Sequence, residues 1–84
     1  MTLFDVAFRY GRAPGETELR ALDDVREVYG VRAISFDEGR RIIRVEYDAS
    51  RLSDDDIAFL LRNAGMDVRE KVPLLEHPEL YRAA

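Results

Sequence analysis

Apolar and polar residues alternate along the first ten positions of the chain. A period of two is typical of a β-strand that buries one of its faces. The apolar face of this first predicted strand consists of Phe4, Val6, Phe8 and Tyr10. The segment that follows, Gly11–Gly15, contains two glycines and a proline, which predicts a loop.

Two segments have the spacing of amphipathic helices, in which apolar residues recur every three or four positions. The first runs from Glu16 to Tyr29, and Gly30 follows it at the position where glycine commonly ends a helix. The second follows Ser53 and Asp56, which have the spacing of a capping box. The predicted apolar stripes are Leu22, Val25 and Tyr29 in the first helix, and Ile57, Leu60, Leu61 and Ala64 in the second.

Three further segments show the short alternating pattern of strands. The second and third strands are joined by Asp37–Arg40, a hairpin signal in which we expect Gly39 to adopt a positive φ. In the fourth strand, Val68 and Val72 are expected to share one face. The apolar residues of the second and third strands are Val31, Ile34, Phe36, Ile43, Val45 and Tyr47.

The order strand, helix, strand, strand, helix, strand predicts a two-layer α+β domain. A four-stranded antiparallel sheet with both helices on one face buries every apolar surface, and right-handed crossovers give a ferredoxin-like βαββαβ sandwich. We assign residues 1–74 to this domain and residues 75–84 to a C-terminal tail, in which Pro78 is a candidate first residue of a short helix.

Composition narrows the classes of function. The chain of 84 residues has no cysteine, which excludes disulfides, thiolate metal sites and thiol nucleophiles. The formal net charge of −4 disfavours nucleic acids and anionic membrane surfaces, which attract basic proteins. No stretch approaches the roughly 20 apolar residues of a membrane-spanning helix. We therefore expect a soluble, cytoplasmic protein with no nucleic-acid or membrane partner.

Three stretches of the chain resemble the heavy-metal-associated domains of copper chaperones and metal-pumping ATPases. They are Gly30-Val31, Val45–Asp48, and Asp56-Ile57 followed by Ala64–Met66. The resemblance extends without gaps from Phe4 to Val72. It implies the ferredoxin-like fold reached above.

The resemblance also locates the metal-binding loop of that family, which reads Gly-Met-x-Cys-x-x-Cys. It falls on Gly11 to Thr17, where Arg12 takes the methionine position and Pro14 and Thr17 take the two cysteine positions. Soft ions such as Cu(I) select thiolate and thioether ligands, and the loop has neither. We therefore expect no metal ligand in this loop, no cofactor, and no conventional Cu(I) or Zn(II) chaperone activity.

An alternative function is weak metal binding through nitrogen and oxygen ligands, in a metal transport or homeostasis context. His77 is the only histidine, and Glu76 and Glu79 lie beside it. Together they could hold Zn(II), Ni(II) or Cu(II), although a structural zinc site normally has four ligands.

Charged and apolar surface residues supply candidates for protein interaction. Arg40, Arg41 and Arg44 form a basic end of the second and third strands, which Arg12 extends, and Leu80 and Tyr81 are apolar residues of the tail. The sheet face away from the helices is expected to carry a ladder of charges: Asp5, Arg9, Arg44, Glu46, Arg69 and Lys71.

The function that these patterns favour is a small, non-catalytic binding module. RNA-binding sheets of this topology stack bases on outward-facing aromatics, whereas Phe4, Phe8 and Tyr47 are predicted on the core side. No catalytic motif is recognisable, so we expect no enzyme. The second and fourth strands are the predicted sheet edges, which suit pairing with a protein partner or with a second copy in a homodimer.

Overall fold

The computed structural model describes residues 2–73 of the chain, and its elements follow the predicted order. The elements are β1 (Leu3–Tyr10), α1 (Glu16–Arg26), β2 (Val31–Asp37), β3 (Ile42–Asp48), α2 (Asp54–Asn63) and β4 (Val68–Val72). The strands form one sheet in the order β2-β3-β1-β4, and all neighbours are antiparallel. The predicted ferredoxin-like α+β fold is confirmed.

The main core lies between the sheet and the two helices. One cluster of buried residues joins Leu22 and Val25 of α1 and Ile57 and Leu61 of α2 to one face of the sheet. The sheet contributes alternate residues of its central strands to this cluster: Val6, Phe8, Tyr10, Ile43, Val45 and Tyr47. Both helices therefore cover the same face. Phe4 was predicted on the core side but is exposed, near the start of β1.

The predicted extent of α1 was wrong at its C-terminal end. The helix ends at Arg26, and Tyr29 is 73% exposed instead of belonging to the apolar stripe. The guanidinium of Arg51 lies 4.2 Å from the centre of the Tyr29 ring, in cation–π geometry. The chain turns here to enter β2, and Gly30 adopts a φ of +103° that favours glycine.

The predicted hairpin between β2 and β3 is present, but its left-handed residue is Arg41 (φ +56°) and not Gly39. The carboxylate of Asp37 accepts hydrogen bonds from the backbone N–H of Arg40 (3.2 Å) and from its guanidinium (2.7 Å). The backbone N–H of Tyr10 donates to the carbonyl of Arg41 at 2.9 Å. These contacts hold the end of the hairpin against β1.

The prediction that Val68 and Val72 share a face was wrong. Val68 pairs with Tyr10 and Val72 with Ala7, and a register shift lies between them. Val68 therefore joins the main core, and Val72 lies on the face away from the helices. Lys71 was predicted on that outer face too, but its Nζ reaches Asp54 at the start of α2, 2.9 Å from the carboxylate.

The predicted capping box of α2 is confirmed. The Ser53 hydroxyl accepts from the backbone N–H of Asp56 at 3.2 Å, and the Asp56 carboxylate accepts from the backbone N–H of Ser53 at 2.9 Å. Each bond satisfies an N–H group near the start of the helix. Within residues 2–73, neither helix has the length and apolar character needed to cross a bilayer.

Candidate binding cleft beside the first loop

The β1–α1 loop, Gly11–Gly15, is fixed to the start of β4 by Asp67. The backbone N–H of Gly11 donates to the Asp67 carbonyl (3.0 Å), and that of Arg12 donates to the Asp67 carboxylate (3.1 Å). The same carboxylate accepts from the Arg69 guanidinium at 3.0 Å. One acidic residue therefore satisfies two backbone groups of the loop.

Arg41 of the β2–β3 hairpin holds the loop as well. Its guanidinium donates to the carbonyl of Gly11 at 2.6 Å, a short distance that is typical of a charge-assisted hydrogen bond. Because Asp67 and Arg41 reach Gly11 from different elements, the first residue of the loop is fixed by tertiary contacts. Hydrogen bonds from two other elements therefore fix this loop, which the resemblance aligns with a metal-binding loop.

The two positions aligned with cysteines lie in different environments. Pro14 is half-buried in the loop, and Thr17 is exposed in the first turn of α1. Among residues 2–73, no three histidine, aspartate or glutamate side chains are arranged to hold a metal ion. His77, Glu76 and Glu79 lie outside the described residues, as do Leu80 and Tyr81, so the alternative metal site stays a prediction.

A cleft of about 380 Å³ lies between this loop, α1 and the β2–β3 hairpin. Polar and apolar atoms contribute about equally to its exposed lining, and the lining includes one acidic and one basic residue. The lining residues are Tyr10, Ala13, Pro14, Leu19, Phe36, Glu38 and Arg41.

Two aromatic rings and one leucine define the apolar part of the cleft. The rings of Tyr10 and Phe36 meet edge to face, with centroids 6.0 Å apart and an interplanar angle of 79°. Tyr10 is buried and Phe36 is half-buried. Leu19, in contrast, is 46% exposed. The cleft therefore offers an aromatic wall beside a leucine side chain that is open to a ligand.

Burial and the surrounding charges shift the pKa of the Tyr10 hydroxyl upward. Burial raises the pKa of Tyr10, and the negative charges of Glu38 and Asp37 raise it further, while the nearby Arg41 guanidinium lowers it. A phenol with a raised pKa is neutral at physiological pH and is a weak nucleophile.

The structure separates the arginines that the sequence grouped into a basic end. Arg40 pairs with Asp37 in the hairpin, and Arg41 reaches Gly11 beside Arg12. Arg44 lies opposite Ala7 and Ser35, on the sheet face away from the helices. Of these four arginines, Arg12 therefore lies in the β1–α1 loop and Arg41 contacts that loop.

The sequence analysis did not include Leu19, Phe36 and Glu38 among the site residues. Leu19 precedes Leu22 by three positions and so extends the apolar stripe of α1 toward the loop. This spacing could have identified Leu19 from the sequence. Phe36 and Glu38 come from β2 and the hairpin, and β3 lies between β2 and β1 in the sheet. Their position beside Tyr10 is therefore a tertiary feature that the sequence pattern does not show.

Comparisons of the chain with protein-family models, curated proteins and solved structures found no match. The resemblance to heavy-metal-associated domains therefore rests on the sequence stretches described above and stays a prediction.

Proposed function

We propose that this domain is a non-catalytic protein-interaction module, and that the cleft beside the β1–α1 loop binds an apolar side chain of a partner protein. The observation that carries the proposal is the position of Leu19, almost half exposed in a cleft whose other walls are Pro14, Phe36 and Tyr10. An exposed leucine in a concave apolar site gains contact area when a complementary side chain enters.

The size and polarity of the cleft favour a peptide-like ligand. Its volume of about 380 Å³ is near the lower end of the range of roughly 300–1,000 Å³ for ligand sites, and it has room for one or two side chains. The two charged lining residues, Glu38 and Arg41, are exposed. They can interact with the backbone or flanking charges of a bound segment while the apolar walls hold its side chain.

The resemblance to heavy-metal-associated domains extends this proposal to the origin of the cleft. Pro14, at the position of the first cysteine, is one of the cleft-lining residues. In this view a ligand position has become part of an apolar binding surface. We propose that the domain keeps the scaffold of that family and uses the loop for protein contacts instead of Cu(I) or Zn(II) transfer.

The proposal is tested by selecting peptides from a displayed random library against the full chain and measuring their affinities for variants. Leu19→Glu places a charge in the cleft, and Phe59→Glu is the matched control, since Phe59 is 66% exposed on α2 and does not line the cleft. We expect peptides with an apolar anchor to lose at least about tenfold in affinity, or about 1.4 kcal/mol, for Leu19→Glu only. Failure to select any peptide, or equal binding to both variants, would overturn the proposal.

A further inference from the structure

The two edge strands of the sheet, β2 and β4, differ in charge. Three consecutive charged residues occupy the middle of β4, and each of them belongs to an ion pair. The pairs are Arg69 with Asp67, Glu70 with Arg9, and Lys71 with Asp54. Charged side chains of this kind discourage a further strand from pairing with an edge. The β4 edge is therefore protected.

The middle of β2 carries no charged residue. The four residues between Arg32 and Asp37 read Ala-Ile-Ser-Phe. A register shift lies near the start of the strand, but the five residues Ala33–Asp37 pair one to one with β3. Within residues 2–73, β3 is the only strand beside β2. Because alternate residues of an edge strand direct their N–H and C=O groups away from the neighbouring strand, β2 presents a regular row of these groups.

The cleft beside the β1–α1 loop lies at one end of this edge. Phe36 of β2 lines the cleft together with Leu19 of α1. Ile34 and Phe36 both pack against the main core, so both point to the helix side of the sheet. Ser35, between them, is exposed and points to the other side. The edge strand and α1 therefore both border the concave site.

We propose that the partner of this domain is an extended segment, which joins the sheet beside β2 and places one apolar side chain in the cleft. The inference rests on the proposed function, because the apolar side chain enters the same cleft. Opposite residues on paired strands point to the same face, with Cβ atoms about 5 Å apart. A partner residue opposite Phe36 therefore points toward Leu19. Backbone hydrogen bonds to β2 supply affinity, and the cleft supplies specificity.

The cleft favours a segment of another protein over a second copy of this chain. In a symmetric dimer through β2, the residues that meet Phe36 of one copy come from β2 of the other copy. The large apolar residues in the regularly paired part of that strand, Ile34 and Phe36, pack against their own core. They are therefore engaged and do not enter the neighbouring cleft, whereas a separate extended segment has apolar side chains that are free to do so.

The alternation of a strand specifies the sequence of this segment. Residues opposite Ile34 and Phe36 share the helix side, so we expect apolar residues at positions i and i+2 of the peptides selected from the displayed library. The residue between them faces the side of the exposed Ser35 and is expected to be polar. Proline should be absent from this stretch, because it removes a backbone donor.

Amide hydrogen exchange of the full chain, with and without a selected peptide, tests the pairing. We expect the peptide to slow the amides of Ala33–Asp37 that point away from β3 by at least about tenfold. The amides of Arg69–Lys71, in the other edge strand, are the matched control and should keep their rates. Unchanged exchange in β2, or equal slowing at both edges, would overturn the proposal. Slow exchange of every Ala33–Asp37 amide in the free chain would also overturn it, because the edge would then already be covered.

N-methylation of the peptide backbone gives an independent measurement. In a paired strand only alternate N–H groups point toward β2, so we expect affinity to fall about three- to tenfold at every second position. Positions between them should tolerate the methyl group. Peptides that lose affinity for Leu19→Glu, but show neither this alternation nor slower exchange in β2, would leave the proposed function standing and overturn the strand pairing. Failure to select any peptide would overturn both.

Discussion

The hydroxyl of Tyr47, in the central strand β3, donates a hydrogen bond to the carboxylate of Asp54, the first residue of α2. The Nζ of Lys71 in β4 lies 2.9 Å from the other oxygen of the same carboxylate. One side chain thus links a buried tyrosine of the sheet, the start of a helix and an edge strand. The Tyr47 hydrogen bond lowers the pKa of Asp54, and Lys71 lowers it further.

Removal of the Tyr47 hydroxyl should destabilise the domain. Tyr47 is 2% exposed, and burial, followed by the hydrogen bond to Asp54, raises its pKa. For Tyr47→Phe we expect a loss of about 1–2 kcal/mol in the free energy of unfolding, measured by urea denaturation. The pKa of Asp54, followed by NMR titration, should rise toward its ordinary value. Tyr29→Phe, at an exposed ring, should change stability by less than about 0.5 kcal/mol.

Acid should destabilise the domain through Asp48 as well as Asp54. The Oδ1 atom of Asp48 accepts from the Ser50 hydroxyl (2.6 Å), the Ser50 N–H (3.0 Å) and the Thr2 N–H (3.3 Å). These bonds lower its pKa, the Ser50 hydroxyl most. A carboxylate whose pKa is depressed on folding contributes stability that is complete above its unfolded pKa of about 4 and is lost as pH falls through the folded pKa.

The free energy of unfolding should therefore decrease as the pH falls below about 4, as measured by urea denaturation at a series of pH values. Asp48→Asn removes the titrating group, so its stability should depend less on pH in this range. It should also be less stable than the wild type at pH 7, because the amide is a weaker acceptor than the carboxylate. Identical slopes for the two proteins would show that Asp48 does not contribute.

The fold was predictable because local patterns and tertiary structure agree at most positions. The alternating apolar residues of β1 and the Ser53–Asp56 capping box depend on local chemistry, and both are present in the structure. Two of the errors occur where contact with a distant segment decides the conformation. The register shift in β4 is set against β1, and Arg41, in the left-handed conformation, contacts the β1–α1 loop.

The candidate site was predictable only in part for the same reason. The sequence alone showed that the loop lacks thiolate ligands, because Pro14 and Thr17 stand at the two cysteine positions. The cleft itself combines Leu19 of α1 with Phe36 of β2, residues that are 17 positions apart in the sequence. Their approach depends on the placement of α1 over the sheet, which no local pattern specifies.

Gly11 should be sensitive to the addition of a single methyl group. A Cβ at this position would lie 2.5 Å from the Asp67 carboxylate and 2.7 Å from Nε of Arg69. Gly11→Ala should displace Asp67 from the Arg12 N–H, at a cost of about 1 kcal/mol in the free energy of unfolding. Gly39→Ala is the control, since the nearest atom would be 3.6 Å away. Equal stability of the two variants would contradict the close contact at Gly11.

The alignment of Gly11–Thr17 with a metal-binding loop predicts a gain of function. If Pro14 and Thr17 occupy the cysteine positions of a heavy-metal-associated scaffold, Pro14→Cys with Thr17→Cys restores two thiolates, the ligands that select Cu(I). We expect the double variant to bind one Cu(I) per chain against a competing chelator, and the wild type and each single variant to bind none through this loop.

Adding His77→Ala to each of these proteins separates the loop from the alternative site in the tail. Cu(I) binding by the double variant should persist in this background, because its ligands lie in the loop. Zn(II), Ni(II) or Cu(II) binding by the wild type that disappears with His77→Ala would instead support the alternative function. A double variant that fails to bind Cu(I) while remaining folded would show that the two positions do not converge as they do in the resembled family, and the resemblance would then not extend to this loop.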